Sequence, residues 1–296
     1  DLDQESVAVI GVGNVAMDVA RILCKTHAEL AVTDMADHAL EALKNSKVKN
    51  VYILGRRGPA QAAFTPPEIK EMGEFEDADV TVLQAEATLD PESAAVLEAD
   101  GDKNAQKNVA YIEDYATREI SGKSRLLTIR FLVSPTELIG EDGRVTGIKL
   151  VKNKLVKGDD GSIRPQATDE EEIIPVGLVF RSVGYLGQPL PNIPYNEKDG
   201  TIKNTGGRVE TDDGSDVTGI YTAGWIKRGP TGVIGTNKTC AQETVGCMVE
   251  DLAGGLINQP EDPSVESAQK LIESRQPDAI SYSEWLRIDA EETSRG

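Results

Sequence analysis

The 296-residue sequence predicts an α/β fold in two domains, and three observations support this prediction. Apolar strand-like runs alternate with helix-like runs through the first part of the chain, as they do in parallel sheets. The glycine-containing turn GVGNVA separates the first strand-like run from the first helix-like run. The length also suits two domains of about 100–200 residues each. We therefore expect a parallel sheet with helices on both faces.

The predicted elements of the N-terminal part follow one another closely. SVAVI predicts a strand and NVAMDVARILCKT a helix, with the glycine turn between them. TDMADHALEAL predicts a second helix capped by Thr33 or Asp34, because both residue types favour that position. VKNVYILG and DADVTVLQ predict two further strands. Between them, TPPEIKEMGE predicts a short helix with proline in its first turn.

The sequence pattern changes near residue 125. LLTIRFLVSPTELIG, EDGRVTGIKLVKNKLV and EEIIPVGLVFRSVGY are strand-like, and EDG indicates a hairpin. The proline-containing segment YLGQPLPNIPYN indicates a crossing between domains. A late strand, GIYTAGW, then precedes the helix-like NKTCAQETVGCMVEDLAG and an acidic tail with one short helix. We predict one domain over residues 1–180, with a β-rich part at 125–180, and a second over residues 181–296.

Composition excludes several classes of function. The net charge of −19 argues against nucleic acid and anionic membranes as partners, since both need a cationic surface. No apolar run approaches the ~20 residues of a membrane-spanning helix, so we expect no membrane insertion. The three cysteines form no C-x-x-C pair, and no cluster has metal-ligand spacing. We expect no metal, and a reducing compartment: a bacterial cytoplasm in preference to a mitochondrial matrix.

The turn after the first strand has the pattern G-x-G-x-x-A, formed by Gly11, Gly13 and Ala16. The first glycine permits a tight turn, and the second lets a pyrophosphate approach the backbone. The alanine allows helix and strand to pack closely, while the helix N-terminus faces the phosphates. The turn therefore predicts a dinucleotide site, with an ordinary structural turn as the alternative.

The end of the second strand indicates which dinucleotide is bound. An NAD site would have an acidic residue there for the ribose 2′-hydroxyl group. This strand ends with Arg56 and Arg57 instead, and a guanidinium group suits a 2′-phosphate. We therefore expect NADP, the alternative being that both arginines belong to a solvated turn.

The glycine-rich stretch YTAGWIKRGPTGVIGTNK lies between a strand-like and a helix-like run. A helix N-terminus in that position can stabilise the negative charge that develops at the pyrimidine edge of a reduced flavin. Gly232, Val233 and Ile234 would present backbone to the ring, and Trp225 would supply an aromatic wall. The alternative is an ordinary glycine-rich loop with a packed tryptophan.

Five motifs together resemble the adrenodoxin-reductase-like ferredoxin–NADP+ reductases, including the bacterial members. They are GNVAMDVARIL, GRRGPAQAAFTPPEIKEM, FLVSP, FRSVGY and AGWIKRGPTGVIGTNK, and they extend over nearly the whole chain. The resemblance implies two glutathione-reductase-like dinucleotide-binding domains. It also implies that NADPH passes hydride to FAD, which then passes electrons singly to a ferredoxin-type iron–sulfur protein.

The same resemblance assigns roles to residues. It places Asn14 and Val15 at the NADP pyrophosphate turn, Arg56 and Arg57 on the 2′-phosphate, and Glu68 with the NADP site.

In the C-terminal domain it places Trp225 and the run Gly232–Ile234 at the flavin, with Gly232 also near the nicotinamide. Glu71, one helical turn after Glu68, is the candidate acid near the nicotinamide; a solvated helix-surface charge is the alternative. Lys227, Arg228 and Lys238 are candidates for a basic patch that would meet an acidic ferredoxin.

The chain departs from the family pattern at its start, where a second glycine fingerprint for the ADP half of FAD is expected. By resemblance, the NADP domain is complete and the FAD domain partial, its N-terminal segment missing. Two other functions therefore stay open. One is an NADP-binding fragment without catalysis of its own; the other is an electron-input protein like the small subunit of glutamate synthase.

Overall fold

A computed structural model describes residues 2–159, 161–232 and 234–295, apart from the side chains of Asp100 and Ile234. The chain divides into two compact units, residues 1–184 and 185–296. The predicted boundary near residue 180 is close to this division. The assignment of the two units to NADP and FAD remains a prediction.

The first unit contains eight strands and seven α-helices among the described residues. In chain order these are β1 (Ser6–Ile10), α1 (Asn14–Cys24), α2 (His27–Ala31), α3 (Asp37–Lys44), β2 (Asn50–Leu54), α4 (Pro66–Met72), β3 (Ala78–Val82), α5 (Gln84–Ala87), α6 (Pro91–Asp100), α7 (Lys103–Thr117), β4 (Arg125–Arg130), β5 (Val133–Glu141), β6 (Arg144–Lys157), β7 (Ile163–Ile174) and β8 (Leu178–Arg181).

Five strands of this unit form a parallel sheet in the order β3-β4-β2-β1-β8. Because all five run in one direction, the loops that follow β1, β2, β4 and β8 meet at one edge. This edge carries the predicted dinucleotide turn after β1 and the two arginines after β2. It is where open parallel sheets bind ligands.

The two faces of the parallel sheet are covered differently. On one face Val9 and Ile53 pack in a core with Met17 of α1, Ile69 of α4 and Tyr115 of α7. Helices therefore cover this face, as the alternation of strands and helices predicts.

The other face meets strands, so the prediction of helices on both faces is wrong. There Ala8 and Leu54 pack with Ile148 and Leu150, which alternate along β6. Strands β5, β6 and β7 form a separate antiparallel sheet, joined at β5–β6 by the predicted EDG hairpin. The alternating apolar residues of β6 give this sheet one buried face, which closes the core.

The second predicted helix also differs from the structure. It corresponds to α3, which begins at Asp37 with Ala36 as its N-cap in place of Thr33 or Asp34. A further helix, α2, precedes it and has Thr26 as its N-cap. The Thr26 side chain accepts a hydrogen bond from the Glu29 N–H, and Glu29 accepts one from the Thr26 N–H. This reciprocal capping box satisfies two N–H groups and starts a helix earlier than predicted.

The second unit has short strands and four helices among its described residues. In chain order these are β9 (Tyr195–Asn196), β10 (Thr201–Ile202), β11 (Asn204–Thr205), β12 (Arg208–Glu210), β13 (Asp216–Tyr221), α8 (Trp225–Arg228), α9 (Ile234–Ala253), α10 (Val265–Arg275) and α11 (Tyr282–Arg295). Strands β11, β12 and β13 pair in one antiparallel sheet, and β9 pairs with β10. The predicted late strand and the following helix correspond to β13 and α9.

Candidate functional site

The turn after β1 is tightly packed at its first glycine. Gly11 has φ +124°, and its N–H donates to the carbonyl oxygen of Leu54 at 2.9 Å. A Cβ on Gly11 would lie 1.9 Å from the carbonyl oxygen of Ser182. Both the backbone angle and this contact require glycine, so Gly11 shapes the turn between β1 and α1.

The second glycine is in open space. Gly13 is the N-cap of α1, with φ −110°, and apart from its chain neighbours no described residue has a heavy atom within 4 Å of a Cβ built on it. The first N–H groups of a helix have no partner inside the helix, and the first turn of α1 contains no acidic residue. Asn14 and Val15 form this first turn, and Ala16 is fully buried behind it. The arrangement is that of an anion site at a helix N-terminus.

Arg56 and Arg57 follow β2 beside this turn. Their neighbour Gly55 is close enough to the turn that a Cβ on it would lie 2.7 Å from the Val12 side chain. Arg56 is exposed and Arg57 half-buried. Among the described side chains, no carboxylate forms an ion pair with either guanidinium group. Two arginines without a counter-ion among the described residues therefore follow β2 where its end approaches the glycine turn.

Asn14 connects the turn to α4. Its Oδ1 accepts a hydrogen bond from the Thr65 N–H at 2.9 Å, and the Thr65 hydroxyl group donates to Glu68. Thr65 is the N-cap of α4. Through this chain of hydrogen bonds the structure places Glu68 near the turn.

Glu71 lies at the other end of α4. Its carboxylate is 2.9 Å from Nε of Arg21 and 2.8 Å from Nζ of Lys25. Partial burial acts to raise the pKa of Glu71, but the two cations outweigh it and lower the pKa below its ordinary value. Glu71 is therefore ionised at neutral pH and connects α4 to the C-terminal end of α1, away from the glycine turn.

In the second unit, the stretch after β13 is not a simple loop. Gly224, with φ +74°, begins the single-turn helix α8, and Gly229, with φ +87°, ends it. Both glycines adopt a left-handed backbone that other residues rarely occupy. Trp225 is therefore the first residue of a short helix that has a glycine cap at each end.

Trp225 lines a shallow groove. Its ring stacks on that of Tyr185, with centroids 6.3 Å apart and planes inclined by 22°. The groove has a volume of about 340 Å³ and is also lined by Leu186, Gly187, Ile226 and Pro230. Trp225 remains 47% exposed. One aromatic wall is thus available to a flat ligand.

The other predicted flavin residues lie at the start of α9. Gly232 is exposed with φ +83°, and a Cβ there would lie 2.6 Å from the Thr236 hydroxyl oxygen. Ile234 is the first residue of α9, and its side chain is not described; Val233 lies outside the described residues. Gly232 and the helix N-terminus thus lie in one segment, as predicted.

The three cations near this segment differ in availability. Lys227 has a side chain only 7% exposed, and its ammonium group lies 2.7 Å from Glu243. Arg228 donates to the Thr231 carbonyl oxygen and to Asn237. Lys238 is exposed on α9. Lys227 does not offer its charge to solvent, so Lys238 is the clearest candidate for partner contact.

Over the described parts of the chain, no three histidine, cysteine or carboxylate side chains are grouped as metal ligands. Within the same parts, no helix has the length and apolar character needed to cross a membrane.

Two residues near the candidate sites were not anticipated from the sequence. Asn153 of β6 hydrogen-bonds the Arg56 carbonyl oxygen, and Tyr185 stacks on Trp225. Asn153 lies far from Arg56 in sequence, so no local pattern could pair them. Tyr185 is the last residue of the motif FRSVGY, so this motif could have indicated an aromatic residue at the site.

The chain is similar to named reductases over its full length. It is 42% identical over 301 residues to the NADPH-ferredoxin reductase FprA of Mycobacterium leprae, matching all of this chain and 63% of that protein. It is 34% identical over 304 residues to the mitochondrial NADPH:adrenodoxin oxidoreductase of Arabidopsis thaliana, matching 99% of this chain and 62% of that protein. No protein-family model matches the chain.

The solved structure of Mycobacterium tuberculosis FprA in complex with NADPH superimposes with a TM-score of 0.88. The two sequences are 41% identical, and the match covers 98% of this chain and 62% of that one. The predicted resemblance is confirmed. The chain is homologous to the ferredoxin and adrenodoxin reductases and has the same α/β fold class. It spans less than two thirds of the length of these relatives.

Proposed function

We propose that the chain contributes an NADP-binding unit and a flavin-facing segment to a ferredoxin–NADP+ reductase. The reaction would take hydride from NADPH to FAD and pass electrons to a ferredoxin-type iron–sulfur protein. One observation carries the proposal: Arg56 and Arg57, which form no ion pair with a carboxylate among the described side chains, follow β2 beside the open helix N-terminus at Gly13. The likeness to the NADPH-bound FprA supports it.

The residues of the first unit fit NADP. The open space at Gly13 would admit the pyrophosphate, and the N–H groups of Asn14 and Val15 would bind its oxygens. Arg56 and Arg57 would hold the 2′-phosphate through charge-assisted hydrogen bonds. Glu68 would border the same site through its contact with Thr65.

The residues of the second unit fit a flavin. The Tyr185–Trp225 pair supplies a flat apolar wall, and the exposed backbone at Gly232 precedes α9. We propose that Gly232, Val233 and Ile234 present N–H groups to the pyrimidine edge of FAD, where negative charge develops on reduction.

The protein's part in the chemistry is binding and orientation. NADPH and FAD, when bound, would supply the redox chemistry, which is hydride transfer from nicotinamide to flavin followed by single-electron transfer from the flavin. Neither step needs a nucleophilic side chain. The chain's own residues hold the phosphates, present an aromatic wall and set the local field.

The role of Glu71 as an acid near the nicotinamide remains a prediction. A carboxyl group with a lowered pKa carries no proton to donate at neutral pH. Any contribution of Glu71 to hydride transfer would therefore be that of a fixed negative charge.

A second function is NADP binding without catalysis. It is favoured by one observation: every residue assigned to the pyrophosphate and the 2′-phosphate of NADP lies in the first unit, residues 1–184. By contrast, the relatives that match the full chain are named as ferredoxin and adrenodoxin reductases, which favours the reductase over a glutamate-synthase-like subunit.

The visible absorption spectrum of the purified chain separates these functions. Flavin near one per polypeptide that bleaches on anaerobic addition of NADPH is the expected result for the reductase. A colourless chain that binds NADP+ would support the second function. A chain that binds neither cofactor would contradict both.

A further inference from the structure

The loop that carries Arg56 and Arg57 is held by contacts from distant parts of the first unit. The Gly55 N–H donates to the Arg130 carbonyl oxygen at 2.8 Å, and the Gly55 carbonyl oxygen accepts from the Val133 N–H at 3.0 Å. The Arg57 carbonyl oxygen accepts from the Leu132 N–H at 3.1 Å. These bonds align the loop with the segment that joins β4 to β5.

Asn153 of β6 contacts this loop from the antiparallel sheet through its side chain. Its Nδ2 donates to the Arg56 carbonyl oxygen at 2.9 Å and to the Ser134 hydroxyl oxygen at 2.8 Å. Its own N–H donates to the Leu132 carbonyl oxygen at 2.7 Å. Asn153 is only 8% exposed, so its hydrogen bonds are shielded from competing water.

Two irregularities in the backbone allow this contact. The pairing of β6 with β7 shifts register between Val151 and Asn153, and such bulges redirect a side chain. Leu132 has φ +56°, a left-handed conformation that is uncommon for a non-glycine residue. In this conformation the Leu132 N–H donates a hydrogen bond to Arg57, and the Leu132 carbonyl oxygen accepts one from Asn153.

The segment that contacts the loop is itself held by largely buried hydrogen bonds and ion pairs. Arg130 forms hydrogen bonds of 2.7–3.0 Å with Glu86 and an ion pair of 2.7 Å with Glu172. Glu86 also accepts from the Phe131 N–H at 2.9 Å. Because Arg130 and Glu86 are largely buried and hydrogen-bonded to each other, they hold residues 130–132 against residues 55–57.

We propose that Asn153 is a positioning residue for NADP specificity. By holding the Arg56 carbonyl oxygen it keeps the backbone from which the Arg56 guanidinium group reaches the 2′-phosphate. The inference rests on the proposed NADP site, and it gives the antiparallel sheet a part in choosing the cofactor. Loss of this bond would weaken NADP+ binding while leaving NAD+ binding nearly unchanged, because NAD+ has no 2′-phosphate.

The test measures the dissociation constants of NADP+ and NAD+ by calorimetry for the full 296-residue chain. Asn153→Leu removes the amide at similar size. We expect it to weaken NADP+ binding about tenfold, equivalent to about 1.4 kcal/mol. NAD+ binding should weaken less than about twofold. Asn153→Ala, without added bulk, is the second variant should the leucine variant fail to fold.

Two control variants separate positioning from a general loss of structure. Ser134→Ala removes the other acceptor of the Asn153 amide and leaves the bond to Arg56. Ile148→Ala opens a cavity in the same strand, β6, without touching the loop. Both controls should leave the ratio of the NADP+ and NAD+ dissociation constants at its wild-type value, even where Ile148→Ala lowers the midpoint of thermal unfolding.

A double-mutant cycle tests whether Asn153 acts through Arg56. In an Arg56→Ala chain, Asn153→Leu should have little further effect on NADP+ affinity. The positioning role would be overturned if the losses of NADP+ affinity in the two single variants added in the double variant. It would also be overturned if both Asn153 variants kept the wild-type ratio of the NADP+ and NAD+ dissociation constants. A wild-type chain that does not prefer NADP+ over NAD+ would instead overturn the proposed NADP site, and this inference with it.

Discussion

At the scale of single residues, the two glycines of the turn have different tasks. Gly11 is required by its backbone angle and by contact with the Ser182 carbonyl oxygen. Gly13 has an ordinary φ and open space around it, so none of the described residues of the first unit requires glycine there. We propose that glycine at this position serves the approach of the pyrophosphate.

This difference predicts opposite outcomes for two alanine substitutions. Gly11→Ala should lower the free energy of unfolding by about 3 kcal/mol or more, because its Cβ would overlap backbone. Gly13→Ala should change it by less than about 1 kcal/mol. Gly13→Ala should instead weaken the binding of NADP+ and of NAD+ to similar extents, by about tenfold.

Urea unfolding and calorimetric titration of each variant measure the two effects. A Gly13→Ala chain that binds both cofactors as the wild type does would show that no pyrophosphate approaches this turn.

At the scale of elements, the ion pairs of Glu71 connect α1 and α4. A carboxylate whose pKa is lowered in the folded chain adds stability above its ordinary pKa of 4.5, and that stability is lost as the pH falls through the folded value. Its side chain is about one-third exposed, so solvent reduces the benefit.

Glu71→Gln should therefore lower the free energy of unfolding by about 1 kcal/mol at pH 7. The difference from the wild type should shrink as the pH falls below 4.5, where the wild-type carboxylate also becomes protonated. Thermal unfolding at a series of pH values measures this. Glu74→Gln is the matched control, because Glu74 forms only the exposed pair with Lys70.

The same variant tests the predicted catalytic role. If Glu71 only joins the two helices, the rate of flavin reduction by NADPH should stay within about twofold of the wild type in a flavin-containing preparation. A large fall in that rate with unchanged stability would favour action on the nicotinamide.

The sequence predicts elements well where the signal is local. The glycine turn, the strands β1 and β2, and the EDG hairpin each depend on a few adjacent residues. Helix α7 was missed, although Asp102 caps it and Val109, Ile112 and Tyr115 recur on one face at helical spacing. Its polar surface residues masked that period.

Contacts between distant segments could not be predicted. The packing of β6 against the parallel sheet depends on Ile148 and Leu150 meeting Ala8 and Leu54, which the alternation along β6 does not specify. The bond from Asn153 to Arg56 likewise depends on a bulge in β6. Such pairs are set by the tertiary fold.

At the scale of the whole molecule, the net charge of −19 would repel an acidic ferredoxin, so local cations matter. Lys227 is buried in an ion pair, which leaves Lys238 as an exposed cation on α9. Charges at the rim of an interface act chiefly on association.

Lys238→Gln should raise the KM for a ferredoxin-type partner about two- to fivefold. Reduction of a small dye should be unchanged, because a dye does not need the patch. Steady-state assays with both acceptors at low salt measure this in a flavin-containing preparation, and Lys270→Gln on α10 is the control. Equal losses with both acceptors would exclude Lys238 from partner contact.

We propose that the first unit selects NADP through Arg56 and Arg57. The most direct test is calorimetric titration of NADP+ and NAD+ into the wild-type chain and into an Arg56→Ala, Arg57→Ala double variant. Charge-assisted hydrogen bonds contribute about 1.5–3 kcal/mol, so we expect the double variant to lose about 100-fold in NADP+ affinity and almost nothing for NAD+. Arg144→Ala, on the β5–β6 hairpin, should change neither. Equal binding of the two cofactors by the wild-type chain would contradict the account.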